Sequence, residues 1–220
     1  NFNEGLRYQH YIGFIMDLYS IIDRRRTIRS FSDKKVEKGT IKKVLTAGLK
    51  APTYNHLREW DFVLVDDPQT RMEIIEVENI PDQHDMNVLN KSFEGHDALA
   101  IEMYLDAIPK QKAMLLKAPE LLVVVFKPKT KVVDSQTVYD LNCLASVWCC
   151  IENILLSLAN EDLFGVTYIP QHTTRLKAVL NIPQGLEIAA LIPFGYKPDD
   201  LYLVKQKNVS IEQKLHFNKW

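Results

Sequence analysis

The chain alternates between stretches whose apolar residues recur every three or four positions and short runs that are apolar throughout. Ile15, Leu18, Tyr19 and Ile22 fall at i, i+3, i+4 and i+7, the spacing of an amphipathic helix. A second helix is predicted over residues 40–50, with Ile41, Val44, Leu45 and Leu49 on one side and Pro52 to end it. Residues 61–66 read as a strand, and Asp67-Pro68 opens a third helix carrying Met72 and Ile75. From 78 to 97 the periodicity fails around Pro81 and Gly95, as in a lid or mobile loop. Helix returns over 98–117, broken at Pro109, and residues 121–126 form an apolar run suited to a sheet covered on both faces. Ser135 is placed to cap a long helix ending near Asn160. Its apolar side is Leu141, Leu144, Trp148, Ile151, Leu155 and Leu158, widened by Ala145, Cys149 and Ala159. Such a helix is expected to be central and buried on much of its circumference. Strands at 164–169 and 188–194, with a short helix over 174–180 between them, complete an α+β or α/β arrangement of one sheet and its helices.

With 220 residues the chain suits one well-buried core, taken as a single domain over 15–220 behind an N-terminal arm, 1–14. Residues 199–220 carry Ile211, Leu215, Phe217 and Trp220 but no core of their own, so they must pack on their own subunit or embrace a partner. Basic and acidic residues nearly cancel, 27 against 28, which argues against broad nucleic-acid binding. No apolar run reads as membrane-spanning and no leader pattern opens the chain, so no membrane partner is expected. Cys143, Cys149 and Cys150 share one predicted helix and, even with His172, lack metal-site spacing. Buried free thiols in a reducing cytoplasm are the expectation.

Against that even charge balance, Arg24, Arg25, Arg26 and Arg29 crowd into six positions beside Thr27. A solvated helix end accounts for most such runs. Here Thr27 and Phe31 pattern the run, and guanidinium forks beside a hydroxyl suit a phosphate monoester. If the segment is helical, Arg25 and Arg29 share a face. One helix later, Ala51-Pro52-Thr53-Tyr54-Asn55 makes a backbone-rich loop before a strand, where ligands often sit.

These two segments carry a family resemblance. Arg25-Arg26-Thr27-Ile28-Arg29-Ser30-Phe31 resembles the Arg-Arg-Ser-x-Arg-x-Phe signature of the nitroreductase family, with Thr for Ser. Ala51 to Trp60 is similar to that family's Ala-Pro-Ser-x-x-Asn-x-Gln-Pro-Trp loop. Weaker matches are Leu116-Lys117-Ala118-Pro119, the run Asn181-Ile182-Pro183-Gln184-Gly185-Leu186-Glu187 with Gly195-Tyr196, and the tail from His216 to Trp220. The resemblance implies an FMN-dependent oxidoreductase of α+β fold. Its mixed central sheet is flanked by helices, the C-terminal tail extends onto a homodimer partner, and 78–112 is a variable lid. It further implies that Arg25 and one or both of Lys205 and Lys207 hold the FMN phosphate, and that Arg26 and Thr27 bond the flavin or ribityl chain. Arg29 would lie at the pyrimidine edge, Pro52, Thr53, Tyr54 and Asn55 would reach in from the other subunit, and Thr167, Tyr168 and Ile169 would run beside the central nitrogen.

The implied reaction is ping-pong, with NADH or NADPH reducing FMN and a small organic acceptor, nitroaromatic or quinone-like, reoxidising it. No catalytic side chain is required, since the cofactor carries the redox chemistry. His56, Arg58 and Glu59 depart from the family's Asn, Gln and Pro, a change expected either to re-aim the loop or to pair Arg58 with Glu59. The iodotyrosine deiodinases, a branch of the same superfamily, share the His, carry Thr where Tyr168 aligns, and match their substrate-binding lysine to Lys112 only loosely. Two-electron reduction therefore ranks above deiodination. A non-enzymatic flavin- or nucleotide-binding dimer is the other alternative, decided by residues 78–97.

Overall fold

A computed structural model describes residues 17–220, so Ile15 and the arm over 1–14 lie outside the described residues. Helix α1 (Leu18–Arg24) starts where the Asp17 carboxylate accepts from the N–H groups of Tyr19 and Ser20. It stops at Arg24, and Thr27 instead forms a parallel bridge with Gly165. The arginine run is therefore not one helix, and Arg25 and Arg29 do not share a helical face. Helix α2 (Lys38–Gly48) lies against the long helix α7 (Asn142–Asn160). A Cβ on Gly48 would meet Ile154 Cγ1 at 2.8 Å, so the small residue sets how closely they approach.

Strand β1 (Trp60–Leu64) leads into α3 (Pro68–Glu78), capped by Asp67, which accepts from Thr70 N at 2.8 Å. The stretch expected to be irregular contains a helix, α4 (Met86–Ser92), because Asp85 caps it; its seven residues are too few to show a period. Next come α5 (Ala98–Ala107), a 3-10 turn at Ile108–Lys110 holding the Pro109 break, and α6 (Gln111–Lys117). Helix α7 begins at Asn142 rather than near Ser135. Thr137 and Asp140 close a capping box on a separate 3-10 turn, and Ser135 Oγ donates to Lys131 O.

Strands β2 (Glu120–Phe126), β3 (Phe164–Gly165) and β4 (Glu187–Gly195) complete a sheet of order β1-β2-β4-β3, and α8 (Thr173–Val179) packs beside it. All its ladders are antiparallel; the mixed character expected of it reduces to the parallel Thr27–Gly165 bridge. The strand expected over 164–169 is cut to two residues plus one bridge between Tyr168 and Leu191. Val166 N donates to Pro193 O, and Pro193 has no N–H to return.

The central strand faces two cores, as its continuous apolar run predicts. Leu122, Val124 and Phe126 join Val44, Val147, Ile151, Ile154 and Leu158 beneath α2 and α7. Leu121, Val123 and Val125 join Ile74, Ile75, Leu115 and Leu176 beneath α3, α6 and α8. Burying each such side chain contributes about 1.5–3 kcal/mol.

Helix α7 is buried or half-buried over much of its surface, with Trp148 and Cys149 exposed on the remaining side, so the expected burial of all three thiols does not hold for the chain alone. By length and composition 138–160 could cross a membrane, contrary to the sequence reading, but its packing on β2, β4 and α2 is that of a core helix.

Two buried charges on α3 tie the layers together. The Arg71 guanidinium donates to the carbonyls of Val65 (2.9 Å), Leu116 (3.2 Å) and Ala118 (2.6 Å), fixing the turn between α6 and β2. Glu78, its side chain fully buried, accepts from Tyr168 OH (2.9 Å), Gln171 N (2.8 Å) and His172 N (3.0 Å). The segment after β3 is thereby pinned at the start of α8.

Candidate functional site

Where the chain leaves α1, its extended backbone faces α5 across a cavity of about 660 Å³. Arg26, Thr27 and Arg29 form one wall, Met103, Asp106 and Lys110 the opposite one, and the tail over 201–207 closes the third side. The tail is held by Arg26, which donates to Val204 O at 2.6 Å, and by Tyr202 OH, which donates to Glu102 at 2.9 Å. Lys205 and Lys207 thus reach the same space as the arginines, far apart in sequence. Lys207 Nζ also lies 3.6 Å from Asp97. Five cations (Arg26, Arg29, Lys110, Lys205, Lys207) stand against two carboxylates (Asp97, Asp106), so the cavity favours an anion.

Arg29 and Met103 also line a second cavity of about 500 Å³. Phe93, Tyr104, Thr167, Tyr168 and Ile169 give it a largely aromatic and apolar surface. Phe93 and Tyr104 stack with ring centroids 4.4 Å apart, which joins α4 to α5 across its rim. Burial first, and then the hydrogen bond to Glu78, push the Tyr168 phenol well above its usual range and keep it protonated. Burial likewise lowers the Arg29 guanidinium, an effect the charge of Asp106 offsets in part.

Not every predicted residue converges here. Arg25 is off the cavity wall, with its Nε 3.9 Å from Glu152 on α7. Pro52, Thr53, Tyr54 and Asn55 sit at the outer end of α7, where Tyr54 N donates to Ser146 Oγ at 2.8 Å and Tyr54 OH meets Tyr139 OH at 2.6 Å. Among the described residues of one chain, none of these four lines the cavity that holds Arg26 and Arg29. The loop is held in an unusual conformation: Asn55, His56 and Arg58 have φ of 49°, 57° and 49°, a region that L side chains rarely occupy. Arg58 donates to His56 O, and Glu59 pairs with Lys127 at 3.0 Å, so the expected Arg58–Glu59 pair does not form.

A family model, the nitroreductase family, matches residues 22–196. The chain belongs to the nitroreductase family. An iodotyrosine deiodinase of Haliscomenobacter hydrossis is 24% identical over 185 residues, covering 82% of this chain and 79% of the relative. A second, from Thermotoga neapolitana, is 26% identical over 185 residues, 83% and 89% of the two chains. Among solved structures, an oxidised iodotyrosine deiodinase bound to FMN and 3-iodo-L-tyrosine superposes with a TM-score of 0.70 at 24% identity, covering 93% of this chain and 100% of that one.

FMN is the cofactor of this family, and the donor set fits it. A cationic cavity suits the phosphate, Thr27 and the backbone beside it suit the ribityl hydroxyls, and an apolar aromatic cavity adjoins for the ring and its acceptor. Sequence reasoning missed Asp106, Lys110, Glu78, Phe93 and Tyr104. Three of them left a signal. Asp106 and Lys110 are an i, i+4 ion pair, and Glu78 stands on the apolar face of α3 defined by Ile74 and Ile75, where a lone carboxylate demands buried donors.

Proposed function

We propose that this chain is an FMN-dependent reductase of small aromatic acceptors, supplied with electrons by NADH or NADPH and working as a homodimer. The observation that carries the proposal is the meeting of two unlike cavities at Arg29 and Met103, one cationic and one aromatic. Arg26, Lys205 and Lys207 anchor the phosphate, and Arg29 stands where the cavities join, beside the edge of the ring that gains negative charge on reduction. Bound FMN supplies the redox chemistry. Thr167, Tyr168 and Ile169 line the face offered to the acceptor, and the Glu78 brace keeps that segment in place. Phe93 and Tyr104 present flat surface to an aromatic acceptor and limit water. The loop over 52–58 completes the site from the partner subunit, a role supported by its strained backbone and by its taking no part in the walls of its own chain's cationic and aromatic cavities.

A second reading is reductive dehalogenation of a halotyrosine, in which two electrons and one proton replace an aryl carbon–halogen bond by carbon–hydrogen and release halide. The identity of the curated relatives favours it. Against it, the hydroxyl of Tyr168, which the sequence resemblance sets against those enzymes' Thr, is bound to Glu78. Lys112 pairs with Asp82.

Anaerobic addition of NADH or NADPH to the FMN-loaded protein is expected to bleach the flavin absorbance, and nitroaromatics or quinones to restore it. Bleaching by neither nicotinamide refutes the proposed electron source. Iodide release from 3-iodo-L-tyrosine by dithionite-reduced protein, with no turnover of nitroaromatics, establishes the second reading instead.

A further inference from the structure

The wall between the two cavities holds a cluster that phosphate binding does not require. Arg29 Nη1 lies 3.8 Å from Asp106 Oδ2, and Lys110, one turn further along, pairs with the other oxygen of that carboxylate. Both members of the first pair are largely withdrawn from water, with side chains 18% and 22% exposed. Asp106 is therefore a poorly screened negative charge facing a cavity whose other charges are mostly positive. A carboxylate there weakens the cavity's hold on any anion, so binding alone does not explain it.

We propose that Asp106 is a positioning and charge-setting residue that limits how strongly Arg29 stabilises the anionic, reduced form of the bound flavin, thereby holding its reduction potential down. This rests on the FMN reading above. With the phosphate among Arg26, Lys205 and Lys207, the ring must pass the junction of the cavities, where Arg29 lies on both walls. Paired with Asp106, the guanidinium shows the ring only part of its charge. Lys110, on the more exposed side at 34% exposure, draws Asp106 away from Arg29 and so acts in the opposite sense. Asp97, paired with Lys207, and Glu102, bound to Tyr202, are the other acidic groups around α5, and each is engaged elsewhere.

The test is the FMN midpoint potential of the loaded protein, measured by spectroscopic redox titration against a reference dye. Asp106→Asn keeps the shape and removes the charge, and it is expected to favour the reduced form about tenfold, a rise of about 30 mV for a two-electron couple. Asp106→Glu restores the charge and is expected to stay near wild type. Lys110→Met, at the exposed end, is expected to lower the potential and serves if the Asn variant does not fold. An unchanged or lower potential in Asp106→Asn with FMN still bound, or no fall in Lys110→Met, overturns the proposal and makes Asp106 a structural ion-pair partner. Wild-type protein that takes up no FMN refutes the underlying reading instead, so the two failures are distinguishable.

Discussion

Glu78 carries the most exposed prediction. Its carboxylate is fully buried and accepts three hydrogen bonds, two from backbone N–H groups that open α8 and one from Tyr168. Glu78→Ala leaves all three donors without that acceptor. Tyr168 borders a cavity, so water can reach its hydroxyl and soften that loss. Gln171 borders the same cavity and is exposed, so water reaches its N–H as well, which leaves the His172 N–H as the donor most fully deprived, and a buried donor left unmatched costs about 1–3 kcal/mol. Losing the buried charge returns part of the cost of desolvating it. The net expectation is about 2 kcal/mol of lost stability, together with weaker FMN binding as residues 167–169 loosen. Glu78→Gln keeps one oxygen but turns an amide N–H toward a donor, so it should fall between Ala and wild type. Urea unfolding of FMN-free protein, followed by tryptophan fluorescence, reads the stability term without the cofactor. A loss under about 1 kcal/mol for the Ala variant would refute the claim that this carboxylate braces the site.

Arg26→Ala should weaken FMN binding by about 10–100-fold, as expected for one charge-assisted hydrogen bond, while Arg25→Ala, facing Glu152, should weaken it far less within a subunit. Fluorescence titration with FMN decides, and equal losses would put Arg25 in the site. The exposed side of α7 and the apolar tail predict a homodimer by sedimentation, and Trp148→Glu should shift it toward monomer. An unchanged dimer would place the interface elsewhere. In acid, hydrogen bonds from Thr70 and Thr137 hold the Asp67 and Asp140 carboxyls below their ordinary value of 3.8. The stability they add is full above that value and disappears as pH falls through the lowered ones. The Asp67→Asn, Asp140→Asn double variant should therefore show a shallower loss of urea midpoint between about pH 5 and pH 3 than wild type.

Much of this was legible along the chain because it depends on neighbours in sequence. The apolar run over 121–126 needs two covers wherever it lies, and it has them. Pro109 interrupts a helix whatever packs nearby, and it does so between α5 and α6. Signature residues around Arg26 and Thr27 identified a family and its cofactor because the chemistry of phosphate recognition is written in side-chain types. Other features depend on where distant segments meet. The end of α1 at Arg24 follows from Thr27 pairing with Gly165, and the shortness of β3 follows from Pro193 in the next strand of the chain. Nor could spacing show that Lys205 stands beside Arg26, that Asp106 shadows Arg29, or that Glu78 reaches Tyr168. Local propensity and side-chain chemistry act through the chain, whereas charge compensation and buried hydrogen bonding act through space, and only the folded structure fixes those distances.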